Sequence, residues 1–249
     1  NCDWSSDVCS SDLAALLGCA APELPPSLDS AEDPWASVAA SARLHLGFDS
    51  LTEDAALDDS PSGFTATRWG SGDLRERVVD GPRGPALSFD GVDQFLYVED
   101  DDRLDLESFT VVAWIRADSR EDAPEWPILD KYALAAGAWT GYGAWLDGGQ
   151  PFAGVYAGVT TGTECGGARR GVFDDGSWHL FAARFDGATV DVLVDGERAA
   201  RCDWTLPPTA NTDLLEVGTR GGSYFFRGAL DEVTLLPYAA EDDVIAGLL

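Results

Sequence analysis

The amino-acid sequence predicts an all-β fold, a two-sheet antiparallel jelly-roll sandwich with one short C-terminal helix. Three observations predict it. Large apolar residues alternate with a period of two in many short segments. Asp-Gly pairs stand between several of these segments, where a tight hairpin turn needs residues that tolerate positive φ. About a dozen such segments recur at regular spacing, as they do in sandwiches and jelly rolls. The 249 residues, 45% of them hydrophobic, suffice for one sizeable core in a single domain. No run of about 18 or more apolar residues occurs, so no membrane-spanning helix is expected.

The elements follow in chain order. Residues 1–13, with the run Cys2 to Leu13, read as the translation of a sequencing-library adapter and are set aside from the fold. Residues 14–19 resemble the end of a bacterial lipoprotein signal peptide: Leu16-Leu17-Gly18-Cys19 matches the lipobox pattern, which makes Cys19 the candidate lipidation site. A chance apolar run before an ordinary cysteine is the alternative. Residues 20–42 are rich in Pro, Ala, Ser and acid without periodicity, and read as a flexible tether.

The sandwich is expected over 43–249. Leu44, Leu46 and Phe48 alternate in the first strand, with His45 turned outward. Phe109, Val111, Ala113 and Ile115 form one face of a strand whose other face carries Thr110, Val112 and Trp114, so both faces should be buried. The segments 178–185, 189–194 and 197–202 are separated by Asp186-Gly187 and Asp195-Gly196, which predicts a three-stranded antiparallel meander. Asp90-Gly91 repeats the device between 86–89 and 94–98. Further strands are expected near 142–146, 152–158, 213–217 and 229–235. The single helix is expected over Ala240 to Leu248, with Glu241, Asp242 and Asp243 in its first turn, where the helix dipole favours acids.

Composition excludes some functions. Acidic residues number 44 against 16 basic ones, for a net charge of -28, so a nucleic-acid partner is not expected. Such a surface serves solubility, or meets a divalent cation. Cys165 and Cys202 remain once Cys2, Cys9 and Cys19 are assigned to the leading segments, and they are expected to pair as a disulfide; two free thiols are the alternative. His45 and His179 are the only histidines and read as structural. No nucleophile elbow, phosphate loop or zinc motif is present, so no catalytic residue is expected.

Six pieces in order resemble laminin-G-like, pentraxin-related domains of the concanavalin A-like lectin/glucanase superfamily. They are Leu44–Asp49, Gly84–Gly91, Phe109–Ile115, Gly176–Ala182, Val192–Gly196 and Gly228–Val233. The resemblance implies a jelly roll with its first and last strands adjacent. It also implies calcium, with Asp49 and Asp231 as metal ligands if those strands are neighbours. Ligands in this family often sit on rim loops, which points to Asp130, Lys131 and Asp147. Trp139, Tyr142, Trp145 and Tyr156 cluster in the same stretch and form either a carbohydrate platform or core. The expected function is an extracytoplasmic module, a bacterial envelope lipoprotein or secreted protein, that binds carbohydrate or a cell-surface protein. The membrane would be met only through a lipid anchor. A glycoside hydrolase is one alternative, although Asp231 and Glu232, being adjacent, should point to opposite faces. A structural envelope protein without a specific ligand is the other.

Overall fold

The computed structural model describes residues 33–118, 125–135, 137–158, 161–167, 173 and 175–249. The adapter-like segment, the lipobox with Cys19 and most of the tether lie outside the described residues. Pro34–Leu249 forms one compact unit. It opens with helix α1 (Pro34–Ser41) and closes with α2 (Asp242–Ala246). The strands between them are β1 (Leu44–Leu46), β2 (Ala55–Leu57), β3 (Thr65–Trp69), β4 (Val78–Asp80), β5 (Pro85–Asp90) and β6 (Phe95–Val98). They continue with β7 (Phe109–Ala117), β8 (Trp126–Ala135), β9 (Ala138–Asp147), β10 (Gln150–Gly158), β11 (Gly162–Gly166) and β12 (His179–Phe185). The last are β13 (Thr189–Val194), β14 (Glu197–Asp203), β15 (Leu215–Val217), β16 (Thr219–Arg220), β17 (Tyr224–Phe225) and β18 (Arg227–Leu236).

Two eight-stranded antiparallel sheets stack as a sandwich. One runs β14-β13-β12-β7-β18-β5-β4, with β1 also paired to β18; the other runs β11-β10-β9-β8-β15-β6-β3-β2. A third, two-stranded ribbon of β16 and β17 packs against β8. The first and last strands are neighbours, with Leu44 opposite Leu235. Between the sheets lie Phe109, Val111, Ala113, Ile115, Phe181 and Phe185 from one side and Tyr142, Ala144, Leu146 and Val155 from the other. The opposite face of β7 is also covered: Val112 joins Leu180, Ala182 and Leu193 in a second cluster closed by Trp35 and Val38 of α1 and by Ile245 beside Leu248.

The meander β12-β13-β14 forms as expected, with a register shift in the β13–β14 pair between Val192 and Leu193. Its turns differ. Asp195 and Gly196 both have positive φ, 52° and 74°, as a primed turn needs. Asp186 instead caps its turn with a side-chain carboxylate that accepts from the Ala188 and Thr189 N–H groups, so only Gly187 is left-handed. The Asp90-Gly91 expectation is corrected. β5 and β6 belong to opposite sheets, so this turn carries the chain across the sandwich. There Asp90 accepts from Val92 N–H in the same side-chain-capped manner.

Three other expectations are corrected. Pro34–Ser41, placed in the tether, is a helix. Pro34 starts it where a missing N–H costs nothing, and Trp35 and Val38, three residues apart, bury one face against the outer side of the first sheet. Trp35 Nε1 also donates to the Leu248 carbonyl at 3.1 Å, joining both helices. His45 faces away from the main core as the alternation requires, yet α1 covers that side and leaves it 7% exposed. The separation of Asp231 from Glu232 fails as well. A bulge in β18 between Asp231 and Thr234, with Glu232 at φ 54°, interrupts the alternation and both side chains are buried.

Cys165 on β11 and Cys202 on β14 are disulfide-bonded, with Cα atoms 5.8 Å apart. Each strand ends its sheet's order, so the bond staples the two sheets together at one edge.

Candidate functional site

The outer face of the second sheet follows from alternation. On β9, Tyr142, Ala144 and Leu146 face the core, so Trp139, Gly141, Gly143 and Trp145 face out. On β8 the matching outward residues are Asp130 and Tyr132; on β10 they are Phe152, Gly154 and Tyr156; on β11 Glu164. Two glycines make this face concave. A Cβ on Gly143 would stand 3.0 Å from the Asp130 carboxylate, and one on Gly154 would stand 2.7 Å from the Tyr156 hydroxyl, so both side chains lie across the sheet in the space glycine leaves.

The ribbon β16–β17 stands over this face and turns at Gly221-Gly222, with φ 57° and 61°. Sheet and ribbon enclose a cleft of about 650 Å³ lined by Tyr132, Trp139, Tyr156, Tyr224, Arg220 and the carboxylates Glu125, Glu164 and Asp213, among others. That size suits a small ligand. Trp139 is 38% exposed and stacks on Tyr132 with centroids 4.7 Å apart and planes 15° apart. The Tyr156 hydroxyl donates to Glu164 Oε1 at 2.8 Å.

Arg220 forms the floor. Its guanidinium sits over the Trp145 ring at 4.3 Å and the Tyr132 ring at 5.2 Å. Nε donates to Asp130 Oδ2 at 2.6 Å and Nη1 to Glu125 Oε2. Nη2 is buried without a hydrogen-bond partner among the described residues, as is Asp130 Oδ1. Burial pushes the Asp130 carboxyl up to about 7 against the pull of Arg220.

The expected ligand residues divide. Trp139 and Tyr156 line the cleft, and Asp130 lies beneath it through Arg220. Three are corrected. Lys131 is 0% exposed, its ammonium spent on Asp100 Oδ1 at 2.6 Å and the Asn211 and Asp213 carbonyls, so it has no surface to offer. Tyr142 is core: it stacks on Phe109 and its hydroxyl donates to the Leu104 carbonyl. Trp145 faces out but is covered by Arg220 and Phe152. Asp147 is exposed at the end of β9, away from the cleft lining. Sequence reasoning missed Tyr132, which the period of two from Asp130 marks, and Arg220, which no local pattern marks.

Asp49 and Asp231 come together at a second place. Asp49 is exposed just after Phe48, whose φ is 60°. Asp231 is 0% exposed and its Oδ2 accepts from Arg83 N–H at 3.2 Å. The Gly81–Gly84 turn closes over both: a Cβ on Gly81 would be 2.5 Å from Asp231 Oδ2, and one on Gly84 3.4 Å from Asp49 Oδ1. Asp231 Oδ1 has no hydrogen-bond partner among the described residues. Burial first, then the Glu232 and Asp49 charges, push the Asp231 carboxyl up to about 7. Glu232 meets His45 Nε2 at 3.1 Å, and His45 Nδ1 lies 2.8 Å from Thr234 Oγ1. Among the described residues no group of three or more His, Cys, Asp or Glu side chains is gathered as a metal cage.

Among the described residues no helix is long and apolar enough to cross a membrane. A search of curated proteins returns no match to this sequence. Solved structures share the fold. The binding domain of botulinum neurotoxin DC, in complex with SialylT, superposes with a TM-score of 0.62 at 11% identity, covering 84% of this chain and 51% of that one. The binding domain of Paraclostridial Mosquitocidal Protein 1 gives 0.61 at 13% identity, with 84% and 51% covered. A structure of botulinum neurotoxin type C, whose cell entry depends on two ganglioside molecules, gives 0.61 at 12%, with 83% and 50% covered. The chain thus spans about half the length of these structures. A laminin-G family model, described as "Concanavalin A-like lectin/glucanases superfamily", matches residues 90–246, more than half of the sequence. The chain belongs to this laminin-G-type family of the concanavalin A-like lectin/glucanase superfamily.

Proposed function

We propose that the chain is an extracytoplasmic binding module that takes a carbohydrate ring in the cleft under the β16–β17 ribbon. One observation carries this reading: an exposed tryptophan lies flat on Tyr132 at the wall of a cleft whose other groups are hydrogen-bonding carboxylates and a guanidinium. Sugars offer one apolar C–H face and a rim of hydroxyls, and a ring wall beside polar groups matches both. The binding-domain neighbours share only the fold, at 10–13% identity; that one of them was solved with SialylT supports the reading without carrying it. Lipidation of Cys19 would hold the module at the envelope surface, a part of the proposal that rests on sequence alone.

Calcium is the proposed structural cofactor. The orphaned, buried Oδ1 of Asp231 and the nearby Asp49 carboxylate would hold a hard cation. Bound there, the ion would pin β1, β18 and the 81–84 turn.

Glycoside hydrolysis is the weaker reading. Asp130 and Glu216 face each other across β8 and β15, and burial raises both carboxyls. Asp130, however, is 1% exposed and held by Arg220, so a substrate has no access to it. A glycan array with and without calcium tests the binding function. We expect a defined set of glycans to be retained, and Trp139→Ala to weaken their retention sharply, because the ring that would carry the sugar's apolar face is gone. An empty array under both conditions would favour a structural envelope protein instead.

A further inference from the structure

The cleft's charge is lopsided. Among the described residues Glu125, Glu164 and Asp213 line it, and Arg220 is the one cation beside them. That cation is already neutralised, because Asp130 and Glu125 both accept from it. Glu216 adds a further carboxylate at the base of the ribbon, where it accepts from Gly221 N–H. Four aromatic rings, Tyr132, Trp139, Tyr156 and Tyr224, complete the walls, and the negative faces of such rings attract cations. Among these described groups an anionic sugar would meet net repulsion. A cation would not.

A second observation narrows the class. Arg220 is 9% exposed and lines the cleft, and its Nη2 is buried with no hydrogen-bond partner among the described residues. A buried donor without a partner gains from an acceptor, which a ligand supplies once the Arg220 head shifts slightly toward the cleft that it lines. An ammonium group alone cannot provide one, whereas a sugar hydroxyl or ring oxygen can.

We propose that the cleft selects an amino sugar, an unacetylated hexosamine unit, whose ammonium group meets Glu164 and Asp213 while a ring oxygen or hydroxyl accepts from Arg220 Nη2. This rests on the carbohydrate reading of the same cleft. It separates this chain from the ligand named for one fold neighbour, which was solved with SialylT.

Titration calorimetry on the whole chain tests the selectivity with four probes: a glucosamine tetramer, its fully N-acetylated counterpart, sialyllactose and tetralysine. The glucosamine tetramer is expected to bind about tenfold more tightly than the acetylated one, the combined effect of two partly exposed charge contacts. Sialyllactose and tetralysine should bind more weakly still. The tenfold preference should shrink as salt rises from about 0.01 M to about 1 M, because the Debye length falls from about 30 Å to about 3 Å. The double variant Glu164→Gln/Asp213→Asn should fold normally and lose the preference, the glucosamine tetramer then binding no more tightly than its acetylated counterpart. Equal or tighter binding of the acetylated tetramer or sialyllactose overturns the charge selectivity and leaves the carbohydrate cleft standing. Tetralysine binding as tightly as glucosamine also overturns it, because the cleft would then read an amine without the sugar. If none of the three glycans binds, the carbohydrate reading falls and the proposal falls with it.

Discussion

Asp231 and Asp130 show what a single carboxyl costs when a fold buries it. Each is fully or almost fully buried with one oxygen unpartnered among the described residues, and each is pushed from 3.8 to about 7, first by burial. The sign of the pH dependence follows. The folded value lies above the unfolded one, so between the two the native state holds a proton that the unfolded chain has released. Stability therefore falls as pH rises from about 4 to about 7, by up to about 1.4 kcal/mol per unit for each group. With chelator present, the thermal midpoint should drop across that window. Calcium should restore it near neutral pH by stabilising the ionised form of Asp231 and releasing its proton. Asp231→Asn should remove one group's share of the slope and the calcium response together, leaving Asp130's share. A midpoint indifferent to calcium, or a variant that responds as the wild type does, rejects the metal site. Asp231 was legible in the sequence through family resemblance, Asp130 only as a rim acid. Their burial was not legible, because it arises from the 81–84 turn and the Arg220 ribbon, which come from distant parts of the chain.

Among the elements, those whose alternation is local were legible and those with borrowed partners were not. β7, β12 and β13 carry the period of two in their own residues and appear where expected. α1 does not: its eight residues bury only Trp35 and Val38, and the helix exists because the outer face of the first sheet and α2 offer them a partner. Short helices depend on such packing rather than on propensity. Trp35→Ala should therefore cost about 3–5 kcal/mol, the usual range for deleting a buried large aromatic. Chemical denaturation reads that loss. Glycan affinity should not change, because α1 covers the first sheet and the cleft opens on the outer face of the second. The bulge at Glu232 is a local signal left unread: Asp231 and Glu232 stand in succession between the core residues Leu230 and Val233, which breaks the alternation where one residue at φ 54° lets both acids leave the core face.

At the scale of the whole molecule, two sheets close on a shared core while one edge is held covalently. Cys165 and Cys202 sit on β11 and β14, the end strands of their sheets, and 37 residues separate them. Closing a loop of that length restricts the unfolded chain and is worth about 4 kcal/mol on the chain-entropy model. The bond also bears on function. Glu164 precedes Cys165 on β11 and accepts from the Tyr156 hydroxyl of the neighbouring strand along one wall of the cleft, so the staple and the cleft wall share a strand. Cleaving the bond should therefore do two things at once: lower the denaturation midpoint by the equivalent of that stabilisation, and weaken glycan binding, because an end strand paired on one side only is freed to fray. Cys165→Ser/Cys202→Ser, compared with Trp35→Ala, separates the effects. Both variants should lose stability, but only the cysteine variant should lose affinity at temperatures where each remains folded. Unchanged affinity in the cysteine variant would mean that β9 and β10 alone shape the cleft.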